Sequence, residues 1–320
     1  MPCSTPMTGL TRAKGLPLPT PLRVVGGTAS TRTGHPNSNM TSQNLLVDKS
    51  LDAFKKHAAA HAVGIFDLRP NSTDPPGVSS GTCVRLGDRL FVATAAHVLQ
   101  KLEPANLRVI VQRRNLSTLL VKVIAQGRAT SRDADVGYLE LEPDAEVEAV
   151  TPDRFDRSDV LPYDMLTVVF GTPFDRLRLS GNVRALAPRV LDAAFTWNAQ
   201  ALSYATNPLP LTDWPKDTAI RYRPETHRML RYTEGVELDS GSSVGLIKPH
   251  GMSGGGIWVV PLRLAEGSAV LWSPMDARLA GIQTGVLESS SALVGCSLSP
   301  WIDLMVTKFP DLRDVLSVTT

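Results

Sequence analysis

Three short stretches of the chain carry side chains that together could cleave an acyl bond. His97 closes Thr94-Ala95-Ala96-His97 at the end of an apolar run, Asp135 opens Asp135-Val136-Gly137-Tyr138-Leu139, and Ser253 lies inside Gly251-Met252-Ser253-Gly254-Gly255. Alone, each has an ordinary explanation. A His after a strand is more often structural, an Asp before a strand is common in turns, and a Gly-rich turn around a Ser needs no chemistry. Together, in the order His, Asp, Ser, they supply a base, a carboxylate that can fix the tautomer of that base, and a nucleophile. The glycines around Ser253 permit positive φ and close backbone approach. They expose the hydroxyl and let the Gly251 and Ser253 amides converge on one point, where an oxyanion could sit. Asp133 is the nearest competitor of Asp135, which is preferred because the strand-like run begins at Val136. His250 and His227 are given no role.

The elements that must position these residues are short strands. Ala62–Phe66, Gly81–Leu86, Arg89–Thr94, Leu107–Gln112, Leu119–Ile124 and Val136–Leu141 form a first series, with Gly87-Asp88 as a hairpin turn. A proline-bounded connection, Thr151 to Pro162, leads to a second series. Its members are Met165–Phe170 with Val183–Leu191 as its partner, then Ser240–Lys248, Gly256–Pro261 and Leu279–Thr284. Residues 207–235, dense in Pro and charge, read as an inserted loop. A helix is expected over Asp48–His61, and another over Ser299–Val306 with Ser299 at the N-cap and Pro300 at the first helical position. The chain has 24 Gly and 24 Pro and few aromatic residues, which suits strands and turns better than a helical bundle.

The three blocks resemble the signature blocks of trypsin-like serine peptidases of the chymotrypsin family, and most closely those of bacterial members without disulfides. The resemblance covers roughly residues 62–306, although only the three blocks are specific. It implies an all-β, two-barrel chymotrypsin-like fold with a C-terminal helix. Residues 48–155 would form the first barrel with His97 and Asp135, and 156–320 the second with Ser253. It further implies a serine endopeptidase (hydrolase) acting on a protein or peptide substrate, with His97, Asp135 and Ser253 catalytic and the Gly251 and Ser253 amides as the oxyanion hole. Leu279–Gly285 resembles the family's substrate-binding strand, so Thr284 and Gly285 are expected to touch substrate. The base of the primary pocket, six residues before Ser253, falls on Ile247, which argues against a requirement for a basic side chain there. Val98 stands where secreted members carry a Cys, and Met252 where they carry the Asp that pairs with a freed N-terminus. Arg23-Val24-Val25-Gly26-Gly27, which looks like a zymogen cleavage site, is therefore read as coincidence, and no maturation cleavage is expected.

Two other readings fit part of the sequence. Gly251–Gly255 also fits the G-x-S-x-G elbow of α/β-hydrolases, but that fold places its His after the Ser, and the last His here is His250. A catalytically silent protease fold used for binding or scaffolding is the alternative; such proteins usually lose a triad member or an oxyanion glycine, and all are present. The 33 basic and 31 acidic residues give a net charge of +2, which offers no argument for nucleic acid or membrane partners. No cofactor or metal is expected. Cys3, Cys83 and Cys296 are too few for a disulfide framework and read as free thiols of a cytoplasmic protein. Residues 1–47 hold four basic residues and no acidic one, have no secretory signal pattern, and are expected to form a disordered tail.

Overall fold

A computed structural model describes residues 53–54, 56–67, 77–100, 102–103, 107–112, 118–129, 134–144, 146–161, 166–171, 177–179, 197–199, 202–216, 220–232, 235–236, 243–244, 251–260 and 273–317. After a helix α1 (residues 56–61), six antiparallel strands follow: β1 (Ala62–Asp67), β2 (Gly77–Leu86), β3 (Arg89–Thr94), β4 (Leu107–Gln112), β5 (Thr118–Arg128) and β6 (Gly137–Leu141). They close into a barrel in the order β1-β2-β3-β6-β5-β4. Closure is possible because β1 pairs on one side with β2 and on the other with β4, so no edge is left unpaired. A short helix α2 (Ala96–Gln100) follows β3 directly.

The barrel's two-residue side-chain period explains its sequence. Leu90 and Val92 of β3 face inward with Val63, Ile65, Val109, Leu139 and Leu141. Phe91 and Ala93 face outward, yet they are buried against the second half of the molecule together with Val84, Leu86 and Tyr138. A strand covered on both faces favours apolar side chains wherever no hydrogen-bond partner is at hand, hence the unbroken run Leu90-Phe91-Val92-Ala93.

The second half contains β7 (Leu166–Gly171), β8 (Leu177–Leu179), β9 (Trp197–Ala199), β10 (Leu202–Thr206), β11 (His227–Arg231), β12 (Gly235–Val236), β13 (Ser243–Val244), β14 (Gly256–Val260), β15 (Arg278–Leu287) and β16 (Ala292–Ser297). Six of them form a sheet in the order β10-β7-β14-β15-β16-β11. The sheet curls until the chain beyond β10 meets β11. Leu209 N–H donates to the Met229 carbonyl at 2.8 Å, and Arg231 N–H to the Asn207 carbonyl at 3.0 Å. Val169, Ile257, Val259, Ala280, Leu230 and Leu293 fill this barrel. Two β-barrels side by side, with a C-terminal helix across their junction, make a chymotrypsin-like fold.

Several expectations differ in detail. Residues 207–235 are not a mere insertion, because they contain β11 and the segment that closes the second barrel against it. Pro208, Pro210, Pro215 and Pro224 lie outside the strands, while His227–Leu230 of β11 is buried, the charged Arg228 included. Strand β7 pairs with β10 and β14; Val183–Leu191 lies outside the described residues, as do residues 1–47. Helix α3 (Leu298–Lys308) starts earlier than expected, with Ser297 at its N-cap. The reason is that β16 runs straight into it, so Pro300 falls within the first turn. It buries Leu298, Trp301 and Met305 on one face, and the Trp301 indole N–H donates to the Gly137 carbonyl at 3.1 Å. A last helix, α4 (Arg313–Ser317), completes the chain. Cys83 and Cys296 are free and buried, and burial pushes each thiol up to about 12. No helix among the described residues is long and apolar enough to cross a membrane.

Helix α1 packs on the second barrel as well as the first. The His57, His61 and Trp258 rings lie together, with His57 and His61 centroids 4.6 Å apart and His61 5.7 Å from Trp258. Burial is the main reason that His57 is lowered to about 3 and His61 to about 4; Arg154 nearby adds to both. The unfolded chain therefore binds protons at these sites that the native state rejects, and stability that is full above the ordinary His value of 6.5 declines as pH falls from there toward 4. For His61, only 3% exposed, the difference amounts to about 3 kcal/mol. We expect the denaturant midpoint to drop between pH 7 and pH 4.5, and His61→Leu to flatten that part of the profile; an unchanged slope in the variant would refute this origin.

Candidate functional site

The turn between β3 and α2 places His97 at the barrel rim, and the chain reaches the same rim again at Asp135, just before β6. Strands β3 and β6 are neighbours in register, Thr94 opposite Gly137, which is why residues distant in sequence meet here. The His97 ring nitrogen Nδ1 lies 2.6 Å from Asp135 Oδ2, and the His97 backbone N–H donates to Asp135 Oδ1 at 2.8 Å. A carboxylate can only accept, so Nδ1 carries the proton and Nε2 is left free to accept one. The two anchors use one oxygen each, so ring and carboxylate cannot rotate independently. Both side chains are about a third exposed, open enough for a reacting group to approach (34% and 33%). The Asp135 backbone lies near the buried Cys296 thiol. Asp133 lies outside the described residues.

Ser253 stands in the turn that enters β14, and this turn is fastened to both barrels. From the first barrel, the Ser80 N–H of β2 donates to the Ser253 carbonyl at 2.9 Å, and the Ser80 hydroxyl to the Gly251 carbonyl at 2.7 Å. Thr94, three residues before His97, donates its hydroxyl to the Ser80 carbonyl at 2.8 Å. From the second barrel, the Gly254 N–H donates to the Gln283 carbonyl at 2.7 Å, and Gln283 N–H returns a bond to the Gly255 carbonyl at 2.8 Å. Within the turn, Gly255 N–H donates to the Met252 carbonyl at 2.8 Å. Met252 itself points into the second barrel's core. The strand pair that delivers His97 therefore also holds the Ser253 turn.

Gly251 and Gly254 have φ of 90° and 93°, the left-handed region in which a side chain is strained. At Gly254, space excludes one as well. A Cβ there would lie 2.0 Å from the Ser80 carbonyl oxygen and 2.2 Å from Thr94 Oγ1.

Thr284 and Gly285 lie in β15 at a bulge, where Thr284 drops out of the ladder to β16 and its hydroxyl donates to the Val294 carbonyl at 3.3 Å. The pairing of β15 with β14 ends at Ile282. Beyond Gln283, that edge of β15 has no strand partner among the described residues, and a Cβ on Gly285 would meet nothing within 4 Å. Ile247 and His250 lie outside the described residues. Sequence reasoning missed Ser80 and Gln283, the two residues that grip the Ser253 turn. Ser80 belongs to no motif, and Gln283 lies in the Leu279–Gly285 segment without having been given a role there; Gln283 is 1% exposed, and its side-chain Nε2 donates to the Gly285 carbonyl at 3.1 Å while Oε1 has no partner among the described residues. An amide at a core position of an otherwise apolar strand was the available signal.

Among solved structures, the chain is similar to the VesB protease of Vibrio cholerae, with 15% identity and a TM-score of 0.49, over 78% of this chain and 64% of that one. The chain thus spans less than two thirds of that protein. No family model matches the sequence, and no curated protein matches it. The similarity concerns the fold.

Gly254→Ala should destabilise the protein by at least about 3 kcal/mol, since strain at positive φ adds to a clash with fixed backbone. Urea denaturation checks this, and a midpoint equal to wild type would show that the turn is not locked as described.

Proposed function

We propose that the protein is a serine endopeptidase that hydrolyses peptide bonds through an acyl-enzyme, with Ser253, His97 and Asp135 as one catalytic unit. The observation that carries this reading is the doubly anchored His97–Asp135 pair at the ends of β3 and β6, in the same barrel whose strand β2 grips the Ser253 turn. In this reading Ser253 Oγ attacks the carbonyl carbon of the substrate, and His97 Nε2 takes the hydroxyl proton. The proton passes to the leaving amine as the carbon–nitrogen bond breaks. Water then repeats the sequence on the ester, again with His97 as base. Asp135 keeps Nδ1 protonated and stabilises the imidazolium. The negative charge on the carbonyl oxygen falls to the Gly251 and Ser253 amides. The assignment to the trypsin-like serine peptidases belongs to the same proposal, and a protein or peptide is the substrate.

The decisive test is labelling with a fluorophosphonate, which reacts with an activated serine. Wild type should label, and Ser253→Ala should not; absence of labelling in folded wild type would favour a silent binding module. With a cleavable peptide, Ser253→Ala and His97→Ala should each lose several orders of magnitude in kcat, and the double variant little more. Asp135→Asn should cost on the order of 10⁴ in kcat. Additive losses in the double variant would contradict a single unit.

Two features support an extended substrate beside β15: its unpaired edge beyond Gln283 and the open space at Gly285. The resemblance to trypsin-like peptidases would put Ile247 at the base of the primary pocket, where an uncompensated Arg or Lys head group would be costly to bury. Cleavage should therefore not require a basic residue before the scissile bond. Profiling cut sites in a peptide library checks this, and strict Arg or Lys at that position would overturn it.

A further inference from the structure

We infer that Ser80 is a positioning residue for the oxyanion donors: its buried hydroxyl fixes the Gly251 carbonyl, and through it the turn that presents the Gly251 and Ser253 amides. The inference deepens the endopeptidase reading above and rests on it. Ser80 is fully buried, at 0% exposure, in a strand of the barrel that does not carry Ser253. Three of its bonds to described residues have different consequences. The carbonyl is held by Thr94 Oγ1 at 2.8 Å, which locks Ser80 to the strand leading to His97. The N–H holds the Ser253 carbonyl at 2.9 Å. The hydroxyl holds the Gly251 carbonyl at 2.7 Å.

Planar trans peptides point their C=O and N–H in opposite directions, so fixing one fixes the other. The Met252 carbonyl is taken by Gly255 N–H at 2.8 Å, which turns the Ser253 N–H the other way. The unit after Ser253 is held at both ends, by Ser80 N–H and by the Gln283 carbonyl. The unit between Gly251 and Met252 has its carbonyl held by a side chain, the Ser80 hydroxyl. Gly251, at φ 90°, has no Cβ to limit rotation. The unit held by the hydroxyl carries the Met252 N–H, while the Gly251 N–H belongs to the unit before it and is joined to it only through the φ and ψ of Gly251. Released from the hydroxyl, the chain can turn at Gly251 and change the angle between the Gly251 and Ser253 amides.

Packing alone does not call for a hydroxyl at this position. A buried hydroxyl is costly unless bonded, and Ala would occupy the same place in β2. Nor is there room for a larger side chain, since a Cβ added at Gly171 would already sit 3.0 Å from Ser80 Oγ.

The test compares full-length Ser80→Ala with wild type in peptide hydrolysis, in inhibition by a peptide boronic acid, whose tetrahedral adduct places an oxygen in the oxyanion site, and in denaturation. The expected result is a kcat lower by roughly tenfold and a boronate affinity weaker by a similar factor, with KM and the unfolding midpoint close to wild type. Ser80→Cys, a weaker donor of similar size, should fall between the two. Wild-type kcat and boronate affinity in Ser80→Ala would overturn the inference, as would a loss confined to KM or one that tracks a fall in stability. Wild type that neither hydrolyses peptides nor reacts with a fluorophosphonate overturns the endopeptidase reading and this inference with it; active wild type matched by Ser80→Ala removes the inference alone.

Discussion

The contact between β2 and the Ser253 turn decides the geometry of everything that could react in this protein. His97 and Asp135 come from one barrel and Ser253 from the other, so no local sequence holds them in register. The bonds from Ser80 to Gly251 and Ser253, and the packing of Gly254 onto Ser80 and Thr94, cross that division directly. They are short-range and directional, so they transmit the position of one barrel to the other more strictly than apolar contact would.

Such contacts persist only if the barrels cannot slide, and an apolar layer between them prevents it. Phe91, Ala93 and Tyr138 on the first barrel's outer face meet Val168, Phe170, Trp258 and Ile282 on the second, with Trp301 and Met305 of α3 closing the junction. Interiors of this kind are close-packed and resist deformation. The Trp301 bond to Gly137 matters for the same reason: it pins the C-terminal helix to the strand that begins two residues after Asp135. On the opposite side, the His57–His61 pair sits against Trp258, two residues beyond the β14 residue that leads out of the Ser253 turn. Both ends of the described chain thus brace the strands around the site.

The local chemistry follows from exposure. The buried Cys83 and Cys296 thiols are pushed far above the range in which they ionise readily, so they contribute packing rather than nucleophiles. His97 and Asp135, by contrast, are about a third open to solvent. Burial thus separates the closed-in thiols from the polar groups open to solvent.

The sequence by itself determined which residue types could do chemistry, their order, and the all-β class, because these depend on local pattern. The unbroken apolar run of β3, the small residues before His97 and the glycines around Ser253 are legible without coordinates: each answers a constraint within its own segment. The sequence did not reveal β10, β11 or β16. Leu202-Ser203-Tyr204-Ala205-Thr206 and Ala292-Leu293-Val294-Gly295-Cys296-Ser297 mix small and polar residues with apolar ones, and His227-Arg228-Met229-Leu230-Arg231 carries charge. Arg228 is buried there because five bonds to carbonyl oxygens, those of Ser158, Asp159, Pro224, His227 and Ala280, satisfy its guanidinium, and none of them can be foreseen from its neighbours in sequence. Ser80 and Gln283 were silent for the same reason. Their role lies in partners more than 25 residues away, so only the tertiary structure, by bringing two barrels to one rim, could give a lone serine in β2 its place beside the Ser253 turn.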